Sequence, residues 1–339
     1  MKSALGAWPW RRLLGVALVG ALVLAAFRIP IPAFVLQLPG PARDVQHLVV
    51  VTGAKTYPST GKLLFTTVSF DLTVSLADWV GAAFDPNRAV IDRSSLTGGA
   101  SLEELAKQEK LAMTLSKRHA EEVVLARLGY GRPTGDGVKI VRVQSGSPAQ
   151  GEIRAGDVIR AVGGRRADTT CDVGRIVGDS RPGESIRLTL VRDGRRRSVG
   201  VKAGSNPASP GDAYLGILMR DIDYEFNPEV DVSIRTGAVG GPSAGLVFAL
   251  TLYDKLTPGD LTGGRTIAGT GEISCDGDAG PIGGVEEKVA GAAAEGATVF
   301  LSPTADYEAA KGAAPEGLEV VAVSSFDDAL DYLSNSRAQ

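Results

Sequence analysis

At 339 residues, with 22% of them charged and a net charge of −3, the chain is long enough for two or three domains and gives no electrostatic reason to expect nucleic acid as a partner. Its two cysteines, Cys171 and Cys275, lack the C-x-x-C spacing of a zinc cluster; an exported chain could oxidise them to a disulfide, but a pair cannot be inferred from sequence, and they are read as small buried apolar side chains. No segment is repetitive or of low complexity, and the sequence calls for no metal and no cofactor.

The chain opens with Lys2, Arg11 and Arg12 ahead of fifteen residues, 13–27, that carry no charge. Arg28 and Ile29-Pro30-Ile31-Pro32 then lead into a second apolar stretch ending near Leu38. A spanning helix needs roughly 17–25 residues, which snorkelling arginines at each end help to reach. The expected organisation is therefore a cytoplasmic N-terminus (1–12), a transmembrane anchor and linker (13–38), and everything after it outside the membrane. A cleaved signal peptide competes with this reading, but Ala25-Ala26-Phe27 is a poor cleavage site.

Residues 44–128 come next. "HLVVVTG" and "KLLFTTVSFDLTVSL" are rich in β-branched residues between turn formers and predict strands. From Ser101 to Leu128 the pattern is helical, opened by a capping box of Ser101 and Glu104 and closed at Gly129. Between 130 and 203 short strands alternate with turns, and the basic run "RDGRRR" reads as a hairpin turn at Asp193-Gly194 with solvated flanks. Gly146-Ser147-Pro148-Ala149 through Ala155-Gly156-Asp157-Val158-Ile159 resembles a PDZ domain. The resemblance implies a groove for an extended peptide, placed between strand 138–143 and helix 170–177, with a carboxylate loop near 130–136.

Residues 205–335 contain "GGPSAG", a G-x-S-x-G around Ser243 at the head of an expected helix, Pro242 in its first turn. A hydrolase of the nucleophile-elbow kind needs a histidine after that serine, yet the two histidines, His47 and His119, both precede it. Lysine and carboxylate remain as general bases. A lysine serves only when neutral, so burial must lower its reference pKa of about 10.4 by several units. Lys288 suits this, with Val285, Val289 and Ala292 at helical spacing around it.

"GGPSAG" followed by "IAGTGEISCDGDAGPIGGVEEKVAGAAAEGA" resembles the proteolytic domain of the Lon-type serine proteases, which use a serine–lysine dyad. The resemblance implies Ser243 as nucleophile, Lys288 as base, and Thr270 as the threonine that hydrogen-bonds near the lysine. A serine entering a helix N-terminus behind glycines also leaves unpaired N–H groups at the same spot, so the backbone of Ser243, Ala244 and the turn Gly240, Gly241 is the candidate oxyanion hole and substrate contact. Gly240 stands where many ATP-driven members have an aspartate; Asp231 and Glu229 are at hand as substitutes, but their alternation reads better as a solvated strand face. No G-x-x-x-x-G-K-[ST] occurs, so an ATP-independent, membrane-anchored Lon-like protease with a PDZ domain is the architecture it most resembles.

The expected fold is thus α+β and multidomain: an N-terminal transmembrane helix and a PDZ domain inserted before a C-terminal Lon-type proteolytic domain, with 44–128 packed on the protease core. The expected activity is endopeptidase action on unfolded or extended polypeptides at the outer face of the cell membrane. The PDZ domain would bind peptide termini or internal strands, and a homo-oligomer stays open. Two alternatives remain: a catalytically silent PDZ adaptor, and a regulatory protease with one membrane-protein substrate.

Overall fold

A computed structural model describes residues 13–336 except 19, 22–24, 26 and 207–208. Residues 1–12, expected as a cytoplasmic N-terminus, lie outside the described residues. No helix among the described residues is long and apolar enough to cross a membrane, which overturns the transmembrane helix at 13–38, membrane attachment through it, and the single-pass placement built on it. The second half of that apolar stretch is a strand. Pro30 and Pro32 cannot continue a helix, and Phe34–Pro39 instead pairs on both sides, with Val68–Asp71 and Ala89–Asp92. Its Val35 and Leu36 are buried, so their hydrophobicity serves a small antiparallel sheet.

The C-terminal core is a five-stranded sheet ordered Arg43–Asp44, Lys62–Phe65, Thr266–Gly269, Val299–Pro303, Glu319–Val323, parallel except for its first edge strand. Its central strands read as apolar runs because both faces are covered. Leu63, Phe65, Ile267, Val299 and Leu301 join the core beneath three helices, Leu102–Leu128, Gly245–Leu256 and Phe326–Asn335. The alternate residues Leu64, Ala268 and Phe300 point to the other face, against Val285–Ala294 and Tyr307–Ala313. Lys62–Phe65 lies parallel to a strand some two hundred positions further on, so the N-terminal segment is structurally part of the core. A second link, Val49–Thr52 antiparallel to Asp231–Ile234, ties the same segment to the approach to Ser243.

The remaining strands form a separate sheet ordered Arg195–Lys202, Ser185–Arg192, Val158–Val162, Val138–Val143, Ile217–Asp221. Its own core gathers Ile140, Ile159, Val173, Leu188 and Leu215. The Asp193-Gly194 turn closes a hairpin with both residues at positive φ, the geometry of a two-residue hairpin turn. Helix Thr170–Gly178 starts on a capping box of Thr169 and Asp172.

The strand expected to line the peptide groove, Val138–Val143, is an interior strand of this sheet. It is paired along its length with Ile217–Asp221 and, at Val138 and Lys139, with Val158–Val162 on its other side. The strand at the end of the sheet is Ile217–Asp221, led in by Tyr214-Leu215-Gly216, and Thr170 at the head of the helix donates its N–H to Asp221 Oδ1. The sequence signal was the alternating "AYLGILMR", far along the chain from the turn that first attracted the assignment.

Candidate active site

Ser243 sits in a tight turn two residues ahead of helix Gly245–Leu256, so the helix begins later than Pro242. Gly241 takes φ +89°, the left-handed region open to glycine, and its N–H donates to the Glu109 carbonyl at 3.0 Å. That bond occupies one of the expected oxyanion donors. The N–H groups of Gly240, Ser243 and Ala244 find no hydrogen-bond partner among the described residues. The Ser243 carbonyl accepts the Gly271 N–H at 2.7 Å and the Thr270 hydroxyl at 3.1 Å.

Thr270 follows strand Thr266–Gly269, at the carboxyl end of a central parallel strand, where open α/β sheets place their ligands. Its backbone is held by the Leu301 carbonyl, and its side chain is fully buried. Lys288 occupies the first turn of helix Val285–Ala294 and is 3% exposed. Val285, Val289 and Ala292 bury the same helix against Ala268 and Phe300. Lys288 Nζ donates to Thr270 Oγ1 at 3.2 Å. Ser243, Thr270 and Lys288 are thus brought together: Thr270 links the Lys288 side chain to the backbone carbonyl of Ser243, and no direct hydrogen bond joins the serine and lysine side chains among the described residues.

Burial pulls the Lys288 pKa from its ordinary value of 10.5 down to about 8, against the opposing pull of Asp306, Glu272, Glu287 and Glu109. At pH 7 about a tenth of such a lysine is neutral, enough for a general base. Burial also raises Glu272 and Asp306 above the usual carboxylate range, the nearby lysine partly countering it. Asp231 and Glu229 stay exposed and do not take the place of a carboxylate at Gly240. The carboxylate against that turn belongs to Glu109, whose Oε2 lies 3.0 Å from where a Cβ on Gly241 would be.

The two cysteines form a disulfide, so the alternative of two buried apolar thiols falls away. It joins the first turn of helix Thr170–Gly178 to the turn between strands Glu272–Ile273 and Ala279–Gly280. Arg175 reinforces the junction through Asp276, at 3.4 Å. Burial lifts the Asp276 carboxyl to about 6 despite Arg175. Beside the disulfide lies a cavity of about 380 Å³ lined by residues of both bodies, including His119, Thr170 and Tyr224.

Sequence reasoning missed Ser116. Its Oγ donates to the Pro242 carbonyl at 2.7 Å, next to Ser243. A signal existed: Ser116 interrupts the buried stripe Met113, Ala120, Val124 with a hydroxyl. A buried polar side chain on an apolar face needs a partner.

Two family models match the chain. One, described as PDZ domain, covers residues 105–203; the other, Lon protease (S16) C-terminal proteolytic domain, covers 217–335. The first begins inside helix Leu102–Leu128, although that helix packs on the C-terminal core. Among curated relatives, Lon protease 1 of Bacillus subtilis is 35% identical over 118 residues, 33% of this chain and 15% of the relative. Lon protease of Clostridioides difficile is 37% identical over 133 residues, 37% of this chain and 17% of the relative. A probable periplasmic serine endoprotease DegP-like of Pseudomonas fulva is 34% identical over 84 residues, 25% and 17% respectively. The chain therefore spans about a sixth of the length of these relatives. Among solved structures, the PDZ domain of an SdrC-like protein from Listeria innocua aligns at 21% identity over 25% of this chain and 93% of that one, with TM-score 0.23. The chain contains a PDZ domain and a Lon-type serine-peptidase domain.

Proposed function

We propose that the chain hydrolyses polypeptides with Ser243 as nucleophile and Lys288 as general base, Thr270 holding the lysine in place. The observation that carries this is the buried, pKa-lowered ammonium of Lys288 on the Thr270 hydroxyl, which is itself bonded to the Ser243 carbonyl. Ser243 Oγ attacks the scissile carbonyl carbon and Lys288 takes its proton. The tetrahedral intermediate collapses, the C–N bond breaks, and Lys288 returns the proton to the leaving amine. Water, activated by the same lysine, then cleaves the ester and restores Ser243.

The peptidase unit draws on 44–128 and 205–335, and the PDZ domain between them binds an extended chain. The free edge of Ile217–Asp221 beside helix Thr170–Gly178 supports the groove. In this reading the substrates are unfolded or extended polypeptides, cleaved without nucleotide.

Cleavage of an unstructured protein, followed without nucleotide from pH 6 to 10, tests the reading. Activity lost in both Ser243→Ala and Lys288→Ala, and rising with pH in the wild type, supports it. Equal cleavage in all three proteins overturns it.

A further inference from the structure

We propose that Ser116, on helix Leu102–Leu128, is a positioning residue that aims the oxyanion-binding N–H of Ser243; this rests on the serine–lysine reading above. The argument begins with the peptide plane. A trans peptide holds its C=O and N–H pointing in opposite directions, so fixing one end aims the other. The plane between Pro242 and Ser243 has its carbonyl held by Ser116 Oγ at 2.7 Å, and its N–H, on Ser243, is unpaired. The next plane, between Ser243 and Ala244, has its carbonyl held by Thr270 Oγ1 and the Gly271 N–H, and its N–H, on Ala244, is likewise unpaired. Two consecutive free donors are therefore aimed from behind, one by Ser116 and one by the segment that bears Thr270.

The long helix is built for this contact. Ser116 is 3% exposed and takes its place among Met113, Ala120 and Val124. Seven residues earlier on the same face, the Glu109 carbonyl accepts the Gly241 N–H at 3.0 Å; three residues later, His119 Nδ1 lies 3.1 Å from the Ile273 carbonyl. Close approach is enforced at Gly245, where a Cβ would lie 2.5 Å from Ser116 Oγ. The Pro242 carbonyl also accepts the Gly245 N–H, at 3.3 Å, so the Ser116 hydroxyl at 2.7 Å is the shorter of its two hydrogen bonds and the one supplied from the long helix.

Deleting one oxyanion donor lowers kcat by about 10²–10³-fold; releasing its aim while keeping it should lower kcat by about tenfold. The measurement uses the whole chain and a peptide boronic acid, whose tetrahedral adduct on Ser243 places an oxygen at the hole. For Ser116→Ala we expect about tenfold weaker boronate binding and about tenfold lower kcat. KM and the pH midpoint set by Lys288 stay within about twofold and a few tenths of a unit. Ser116→Thr, which keeps the hydroxyl, restores both readouts. Ser116→Cys, which keeps the volume but is a weak donor, gives the same split if Ala loosens the packing. Equal losses of boronate and uncleaved-peptide affinity, or no loss of either, overturn the assignment. Wild-type protein whose Ser243 forms no boronate adduct, or whose cleavage survives Lys288→Ala, removes the underlying reading and this inference with it.

Discussion

On the proposed reading, the turn around Ser243 and the edge of the PDZ sheet both present backbone to a peptide, yet they are held in opposite ways. Around Ser243 the backbone is gripped by groups remote in sequence: Glu109 and Ser116 on one side, Thr270 and Gly271 on the other. At Ile217–Asp221 the strand bonds to one neighbour, Val138–Val143, and its outer edge is left beside a helix, with Leu218 49% exposed. A reacting site needs donors fixed before the substrate arrives, because reorganisation during the reaction would be added to the barrier. A strand edge needs only to be available, since an incoming peptide supplies the missing half of the ladder. Changes at the first region should therefore remove chemistry and spare binding, and changes at the second should do the reverse.

The largest expected effect is the loss of cleavage in Ser243→Ala, at least about a thousandfold. Binding of a fluorescent extended peptide to the PDZ domain, read by anisotropy, should not change. Coupled loss of both would break the contrast.

Lys288 comes next, because its burial opposes folding while, on the proposed reading, it serves the chemistry. Its folded pKa of about 8 lies below the ordinary 10.5, so folding expels a proton between those values. In that window the unfolded chain binds more protons, and stability rises with pH until the unfolded lysine is also neutral. Lys288→Met should abolish cleavage yet raise stability near pH 7 by up to about 3 kcal/mol. Denaturant midpoints at pH 7 and pH 10 check the sign, since the gain should shrink at the higher pH. Wild-type kcat should climb through pH 8 and then level.

Reduction of Cys171–Cys275 addresses the seam between the two regions. The bridge closes a sequence separation of 104 residues, and its loss should lower stability by about 2–4 kcal/mol. Thermal unfolding of Cys171→Ser/Cys275→Ser should then show the PDZ transition separating from that of the core. A single unchanged transition would mean that Arg175–Asp276 and the packing around it suffice.

Gly245→Ala is the smallest of the four, about 1–3 kcal/mol from overpacking against Ser116 and Ile273. It should slow cleavage without touching peptide affinity.

What could be read from the sequence was local or periodic. The capping box at Ser101, the Asp193-Gly194 hairpin and the apolar face around Lys288 each depend on residues within a few positions of one another. The serine turn, Thr270 and Lys288 were legible together because the spacing of the segments resembles that of a known proteolytic domain. The apolar N-terminal run misled because hydrophobicity alone does not separate a membrane span from a buried strand: Val35 and Leu36 are as apolar in a small sheet as they would be in lipid. The strand expected to line the peptide groove proved interior to its sheet for a related reason. Which of several alternating strands ends a sheet is a property of pairing, not of pattern.

By itself, then, the sequence determined the long helix after Ser101, the helix around Lys288, the Asp193-Gly194 hairpin, the PDZ-like and Lon-like segments, and a serine and a lysine proposed as partners. Tertiary structure decided which groups hold them. Lys62–Phe65 beside Thr266–Gly269, Cys171 against Cys275, and Ser116 beneath Pro242 are contacts between residues more than a hundred positions apart. No local propensity encodes such pairs; they exist because burying both faces of one parallel sheet leaves the long helix a single place to pack, and that place is behind the serine.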